Sequence, residues 1–533
     1  MINWTQEQVG AINAVLSSNE NFIISAVAGS GKSTLVKHLA GELIQRGEKK
    51  VFVSSFTNVA VNEITIKGVI AKTTTKLGNI FLGNYYWSEE NTKRGRVKRS
   101  NPSFDKYSYL SNKVLRDAGY DDKQRRRMFQ FVRPMVDMVR QIYAEPNEYE
   151  FAWELCFGKI PYDNEVESLI ENILQEGINR FLWNNVTDYI DSLWLVEKLD
   201  MPLNGRVYTG KGKEYFDFPD PKETVFFVDE FQDCSRGDNL LFQRLSNAGA
   251  QIIIVGDERQ AIYAWRGGYN SLTTAKKEFN ATQLFITKTL RCPKSHSKFI
   301  REYETGFGEV VNYAPLHDNF WSQKDESGKI VKIKSYDELK DLIIPKKTVI
   351  TGPYFNGKNS DLLPPLRWVL ENTDFTVKVE GVDLYEKCKM LLGYMKENDY
   401  GVSQISHAVS EIIENAERKM DWDDNVFINL KELQETLEFS VLVLSLCSDC
   451  NTAHDYEYFI KNNINVENPD IVFSTGHKVK GQTYQCVVVA NFHTGPRYDT
   501  RNADIVNEQQ ANLFYVLLSR SSDLMILTDF GGE

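Results

Sequence analysis

The sequence predicts an α/β protein built on two parallel-sheet cores, each interrupted once by a mainly helical insertion. Three observations carry this. A Gly-rich loop over residues 26–34 runs from an apolar strand straight into an amphipathic helix; a distant apolar strand ends in Asp229 and Glu230; and an α/β pattern restarts near residue 330, after a polar stretch from Asp318 to Lys329. Strands that alternate with helices pack as a parallel sheet. A chain of 533 residues also exceeds one ordinary core and suggests two to four domains.

Phe22 to Ser25 reads as a short buried strand, Thr34 to Arg46 as an amphipathic helix and Val51 to Ser55 as the next strand. From about residue 78 to 215 the strand signals fade, until Thr224 to Val228 restores a buried strand that Ile252 to Val255 and Leu284 to Thr287 continue. The first core is therefore assigned residues 1–77 and 216–325, with a basic helical insertion at 78–215. The second core is assigned 326–353 and 466–533, with strands at Lys347 to Thr351, Ile471 to Ser474, Val487 to Ala490 and Leu524 to Leu527, and an acidic helical insertion at 354–465.

Composition narrows the class. Hydrophobic residues make up 42% of the chain, enough to fill such cores. No apolar run reaches the roughly 18 residues a spanning helix needs, and the amino terminus lacks a secretory h-region, so a cytoplasmic protein without a membrane partner is expected. The seven cysteines are scattered, and the close pair Cys447 and Cys450 has no second pair at zinc spacing, so thiols and no structural metal are expected. A net charge of −11 argues weakly against nucleic acid, but phosphate binding depends on local Lys and Arg. Residues 90–140 hold fourteen of these against six acids, a local +8.

Ala26-Val27-Ala28-Gly29-Ser30-Gly31-Lys32-Ser33-Thr34 has the A-x-x-x-x-G-K-S pattern of a phosphate loop. Small residues let backbone N–H groups and a helix N-terminus face the phosphates of ATP, Lys32 neutralises β/γ oxygens, and Ser33 can ligate Mg²⁺. Phe226-Phe227-Val228-Asp229-Glu230 delivers two carboxylates to the sheet's C-terminal edge. Asp229 is expected to hold Mg²⁺ and Glu230 to orient or deprotonate the attacking water. Alone, such a pair is more often a solvated strand end; beside a phosphate loop it reads as a site.

The run Gly256-Asp257-Glu258-Arg259-Gln260-Ala261-Ile262-Tyr263-Ala264-Trp265-Arg266-Gly267-Gly268 sets Gln260 five residues before Trp265 and closely resembles the third signature motif of UvrD/Rep-type superfamily 1 helicases. Thr5-Gln6-Glu7-Gln8 with Ala11 and Ile12 resembles that family's adenine motif, which makes Gln8 the candidate base reader, with Gln6 competing. Thr5 and Gln8 also form a helix capping box, and both readings stand. Thr287 to Cys292 resembles L-T-x-N-Y-R-S, and Tyr515 to Ser521 resembles Y-V-A-L-T-R-A, implying arginine fingers at Arg291 and Arg520. Leu290 replaces the family's adenine-stacking tyrosine and Thr483, beyond Gly481, its ribose-contacting glutamate, so strict preference for ATP does not follow.

For the DNA track, Ser54 to Ile64 resembles T-F-T-N-K-A-A-x-E-M, implying contacts at Phe56, Thr57 and Asn58, and Thr73-Thr74-Thr75 replaces the family's T-F-H with hydroxyls. Tyr263, Trp265 and Arg266 continue the row, and Thr475 with His477, in a segment resembling T-x-H-x-x-K-G-L-E, would touch the backbone. Stacking holds bases without regard to sequence, although core packing is the commoner fate of any single aromatic. The resemblance implies two RecA-like P-loop cores and an ATP-dependent DNA helicase or translocase moving 3′ to 5′ on single-stranded and tailed duplex DNA. The alternative is a DNA- and nucleotide-binding sensor that controls a separate nuclease and unwinds little. That layout is similar to the helicase-like subunit of Gabija-type antiviral systems, and with 13 residues after Arg520 no fused nuclease is expected.

Overall fold

The structure, a computed structural model, describes residues 2–47, 49–55, 58–86, 106–184, 186–208, 215–268, 272–303, 317–324, 328–353, 361–380, 384–422, 430–447, 449–496, 499 and 501–529. The chain divides into two compact units, Met1–Thr289 with Tyr498–Asn512, and Leu290–Arg497 with Leu513–Glu533. Each contains one six-stranded, wholly parallel sheet, so the α/β expectation holds.

In the first unit the strands are β1 (Phe22–Ala26), β2 (Lys50–Ser55), β3 (Ile70–Thr73), β6 (Thr224–Asp229), β7 (Gln251–Gly256) and β8 (Thr282–Ile286), in the order β3-β2-β6-β7-β1-β8. The hairpin β4 (Arg206–Tyr208) and β5 (Tyr215–Asp217) stands apart. Near-continuous apolar runs such as Ile252 to Val255, fully buried, are what a sheet covered on both faces requires. Around it lie α1 (Gln6–Ser17), α2 (Lys32–Arg46), α3 (Asn58–Ile64) and α4 (Thr74–Tyr86). Because all strands run the same way, the ends of β1, β6 and β7 bring Ala26, Asp229 and Gly256 to one edge, where ligands of such sheets bind.

Between β3 and β6 the described residues form α5 (Lys106–Asp117), α6 (Asp122–Gln141), α7 (Tyr149–Phe157), α8 (Glu165–Asn184) and α9 (Asp191–Lys198), and α10 (Arg236–Asn247) follows β6. Among the insertion's buried apolar side chains lies an ion cluster. Arg140 donates to both carboxylate oxygens of Asp188 at 2.8 Å each, to Asp191 at 3.0 Å and to Asp137 at 2.6 Å, and its guanidinium lies 3.5 Å from the centre of the Tyr107 ring. Lys106 reaches Asp191 at 2.6 Å, and the Tyr107 hydroxyl donates to the same carboxylate at 2.9 Å. Burial opposes ionisation of Asp188, but the Arg140 charge and hydrogen bonds outweigh it and hold its pKa below the usual range. Asp191 is raised, by burial and then by the neighbouring Asp188 charge. α9 packs on α4 where Gly78 meets the Ser192 carbonyl; a Cβ at Gly78 would lie 2.0 Å from that oxygen.

Part of the +8 of residues 90–140 is neutralised within the insertion. Lys106 and Arg140 are buried in the cluster, Lys113 pairs with Asp117 and Glu176, Arg125 with Asp122, and Arg133 with Asp137. Lys93, Arg94, Arg96, Lys98 and Arg99 lie outside the described residues.

In the second unit the sheet order is β9 (Lys329–Ile333), β14 (Ser521–Thr528), β13 (Tyr484–Val489), β10 (Thr348–Gly352), β12 (Ile471–Thr475) and β11 (Val377–Glu380). Two boundaries differ from the sequence assignment. β11 pairs with β12 inside the range 354–465 given to the helical insertion, and residues 290–325, given to the first core, group with the second unit while 498–512 group with the first. Helices Leu384–Glu397, Ile405–Trp422, Leu430–Leu444 and Ala453–Asn463 make the insertion itself. The thiol expectation for Cys447 and Cys450 is overturned: the bend after Leu444 brings their Cα atoms to 5.7 Å, within bridging reach, and they form a disulfide. Among the described residues no helix is long and apolar enough to cross a membrane, and no group of three or more His, Cys, Asp and Glu is placed to hold a metal ion.

Candidate nucleotide site and nucleic-acid interface

The phosphate loop forms because its glycines adopt backbone angles other residues resist: Gly29 has φ 71° and Gly31 φ 81°. Its base is pinned where Val27 N–H donates to Ile286 O at 3.1 Å, and Leu35 N–H closes the first helical bond to Gly31 O at 2.9 Å. Lys32 is buried and donates to Ala26 O at 3.2 Å, which folds its ammonium back over the loop.

At the end of β6, Asp229 is fully buried and its Oδ1 has no hydrogen-bond partner among the described residues. Burial, then the adjacent Glu230 charge, pushes its pKa up to about 7 against the pull of Lys32. An orphaned carboxylate oxygen, with the Ser33 hydroxyl one residue after Lys32, is an all-oxygen donor pair that fits Mg²⁺ shared with phosphates. Glu230 sits in the left-handed region at φ 55°, ψ 42°, a strained conformation for a residue with a side chain. Its carboxylate accepts from Gln232 Nε2 at 2.5 Å; Gln232 Oε1 accepts from Asp257 N–H at 3.0 Å; and Gln260 Nε2 donates to Asp257 Oδ2 at 2.7 Å. A chain of hydrogen bonds therefore joins Glu230 to Gln260. Gly256 makes room for it, since a Cβ there would lie 2.4 Å from Gln232 Oε1. Sequence alone gives Gln232 and Asp257 no role of their own; they pair across 25 residues, beyond any local pattern.

Gln8 realises the capping-box reading. Its Oε1 accepts from Thr5 N–H at 2.8 Å and its Nε2 donates to Ser30 O at 2.8 Å, so the carboxamide braces the phosphate loop. Beside it, Glu7 accepts from Thr287 N–H at 2.9 Å and from Thr287 Oγ1 at 2.7 Å. One turn of α1 thus grips both the phosphate loop and the end of β8.

Of the DNA-track residues, Phe56 and Thr57, and the side chains of Asn58 and Trp265, lie outside the described residues. Thr73 is buried and its hydroxyl caps α4 by accepting from Lys76 N–H at 3.3 Å. Half-buried Thr75 and Arg266 line one cleft of the first unit. The Tyr263 carbonyl accepts from Arg266 N–H at 2.9 Å and Gly268 N–H at 3.0 Å, making a tight turn. That turn is held by two residues the sequence reading passed over: Gln509 accepts from Ala264 N–H and donates to Gly268 O at 3.1 Å, and Asn512 donates to Ala261 O at 3.0 Å.

In the second unit, residues from three distant segments meet. Arg291 donates to Ser519 O at 3.0 Å and Gly481 O at 3.4 Å, and Arg520, 1% exposed, donates to Val516 O at 2.8 Å and Gln482 O at 3.5 Å. Gly481 has φ 83°, and Thr483 and Leu290 are exposed beside it in sequence and at 40% respectively. Thr475 stands at the N-cap position of the short helix Gly476–Val479, without a side-chain capping bond, and that helix carries half-buried His477.

A phosphate loop, an acidic strand end and parallel sheets in both units define a P-loop nucleotide-binding protein. The UvrD/REP helicase N-terminal domain matches residues 4–280, and the chain belongs to that family. It is 23% identical over 292 residues to the probable DNA helicase II homolog of Mycoplasma genitalium, covering 51% of this chain and 39% of that protein. To the ATP-dependent DNA helicase PcrA of Bacillus subtilis it is 22% identical over 344 residues, covering 61% of this chain and 42% of that protein. PcrA of Staphylococcus aureus is 23% identical over 296 residues, 53% and 37% of the two chains. The matches thus span about two fifths of the length of these relatives.

Proposed function

We propose that the protein is an ATP-dependent DNA helicase or translocase that moves 3′ to 5′ on single-stranded DNA. The observation that carries this is the hydrogen-bonded chain from Glu230 through Gln232 and Asp257 to Gln260, which enters the turn bearing Tyr263 and Arg266. A change in what Glu230 and Gln260 hold is passed to that turn within a few bonds. Family membership and the names of the relatives support DNA as the track.

In this reading the phosphate loop and Lys32 bind the ATP phosphates, and Glu230 orients the attacking water and takes its proton. Arg291 and Arg520 stabilise charge on the transferring phosphoryl group. Mg²⁺, held by Ser33 and Asp229, would neutralise phosphate oxygens as bond breaking proceeds. Gln8 acts through Ser30 to set the shape of the loop. Thr75, Tyr263, Trp265 and Arg266, with Phe56, Thr57 and Asn58, form the track in one unit, and Thr475 and His477 contribute in the other.

The test is strand displacement with ATP on duplexes tailed at the 3′ or the 5′ end. Displacement confined to the 3′-tailed duplex supports the motor. ATP hydrolysis without displacement on either substrate favours the sensor, and displacement from the 5′ tail refutes the polarity.

A further inference from the structure

The turn from Ala261 to Gly268, which carries Trp265 and Arg266, is clamped from outside by one helix, Asp504–Leu518. Gln509 accepts from Ala264 N–H and donates to Gly268 O at 3.1 Å, so a single carboxamide ties the middle of the turn to its end. Asn512 donates to Ala261 O at 3.0 Å, one residue after Gln260. Both side chains are buried, and their i, i+3 spacing places them on the same face of the helix.

Asn512 is a poor choice for stability alone. It is 1% exposed among apolar neighbours such as Leu513, and its Oδ1 has no hydrogen-bond partner among the described residues. A buried acceptor left unpaired outweighs the net gain of the one bond its amide makes. What the residue supplies is a hold on the turn. Beyond it the helix is stiff: Leu513 to Leu518 are all 2% exposed or less, packed on every side. Arg520 follows two residues past the helix end and is tied back to it, its Nε donating to Val516 O at 2.8 Å. Gln509 and the arginine-bearing end are joined by about 14 Å of helix.

We propose that Gln509 and Asn512 are positioning residues that link the DNA-holding turn to Arg520, so that a strand on the turn sets the arginine for phosphoryl transfer. The proposal rests on the DNA reading above and deepens it, adding a route that does not pass through Glu230. Neither residue touches nucleotide or DNA; each acts through the backbone of the turn at one end and through the helix at the other.

The experiment follows ATP hydrolysis by the full chain over a titration of single-stranded oligonucleotide, which separates the maximal stimulation from the DNA concentration that half-saturates it. Asn512→Leu removes the bond together with the unpaired acceptor and should fold at least as stably as the parent; Gln509→Met keeps the side chain's length and removes both bonds. Each should leave basal hydrolysis and KM for ATP within about twofold of the parent, and bring the maximal stimulation from several-fold to under about twofold. Thermal unfolding shows which variants are folded, and if Gln509→Met is not, Asn512→Leu decides. Parental maximal stimulation in the variants overturns the proposal, even when it needs more DNA, since the two residues are then only a brace for binding. An unfolded Asn512→Leu, or a folded one that loses basal hydrolysis as well, overturns it too. A parent that DNA does not stimulate overturns the DNA reading itself, and this link with it.

Discussion

Asp229 is held in a state the nucleotide-free protein resists, and that resistance can be measured. Its carboxyl has a folded pKa of about 7 against 3.8 as its ordinary value. A carboxyl that binds its proton more tightly when folded favours the folded state fully below pH 4, and this contribution is lost as pH rises through 7. A shift of about three units at ~1.4 kcal/mol each gives a ceiling of ~4 kcal/mol, and the group is buried, so solvent screening does not discount it. Asp229→Asn removes the charge at constant shape. Without nucleotide or Mg²⁺ it should be as stable as the parent near pH 4 and more stable at pH 8, by up to ~4 kcal/mol, on the order of 10 °C in midpoint. The assay is thermal unfolding of both proteins across that pH range. A gap that stays constant with pH, or a less stable Asn variant at pH 8, would refute the buried-charge argument.

Lys32→Ala should weaken ATP binding by at least tenfold, read by titration with a fluorescent nucleotide; unchanged affinity would count against the phosphate-loop role. Arg140→Leu strips the counter-charge from buried Asp188 and Asp191 and should cost ~3–5 kcal/mol in denaturant unfolding; a loss under ~1 kcal/mol would mean the cluster contributes little. Glu7→Ala breaks both bonds to Thr287 and should raise KM for ATP several-fold with little loss of kcat, whereas Glu7→Gln, which keeps one acceptor, should recover part of it. Equal kinetics for parent and Glu7→Ala would remove Glu7 from the nucleotide site.

The phosphate loop and the Asp229 strand end were legible because their chemistry is local: glycines, a lysine and a strand within nine residues fix the conformation wherever the loop is placed. The roles of Gln232, Gln509 and Asn512 were not, since each is defined by a partner that only the fold brings near. Charge was misleading for a similar reason. Lys106 and Arg140 count as basic in the sequence, yet Asp188 and Asp191, some 50 to 85 residues away, hold them inside. Strands β3, β9 and β11 escaped notice because each lies at a sheet edge and mixes lysine or glutamate with apolar residues, as in Val377-Lys378-Val379-Glu380, where buried and half-buried positions alternate. Read without its pairing partner β12, that segment is a short piece of a polar insertion.

The central claim is that ATP hydrolysis at Glu230 is coupled to DNA held by the turn after Gln260. It is tested most directly by steady-state ATP hydrolysis in the parent and in Glu230→Gln, with and without single-stranded DNA. The account predicts a parent whose hydrolysis rises several-fold with DNA and a Gln variant that still binds nucleotide but shows no turnover under either condition. Parent hydrolysis indifferent to DNA would contradict the coupling, and normal turnover in Glu230→Gln would contradict the site.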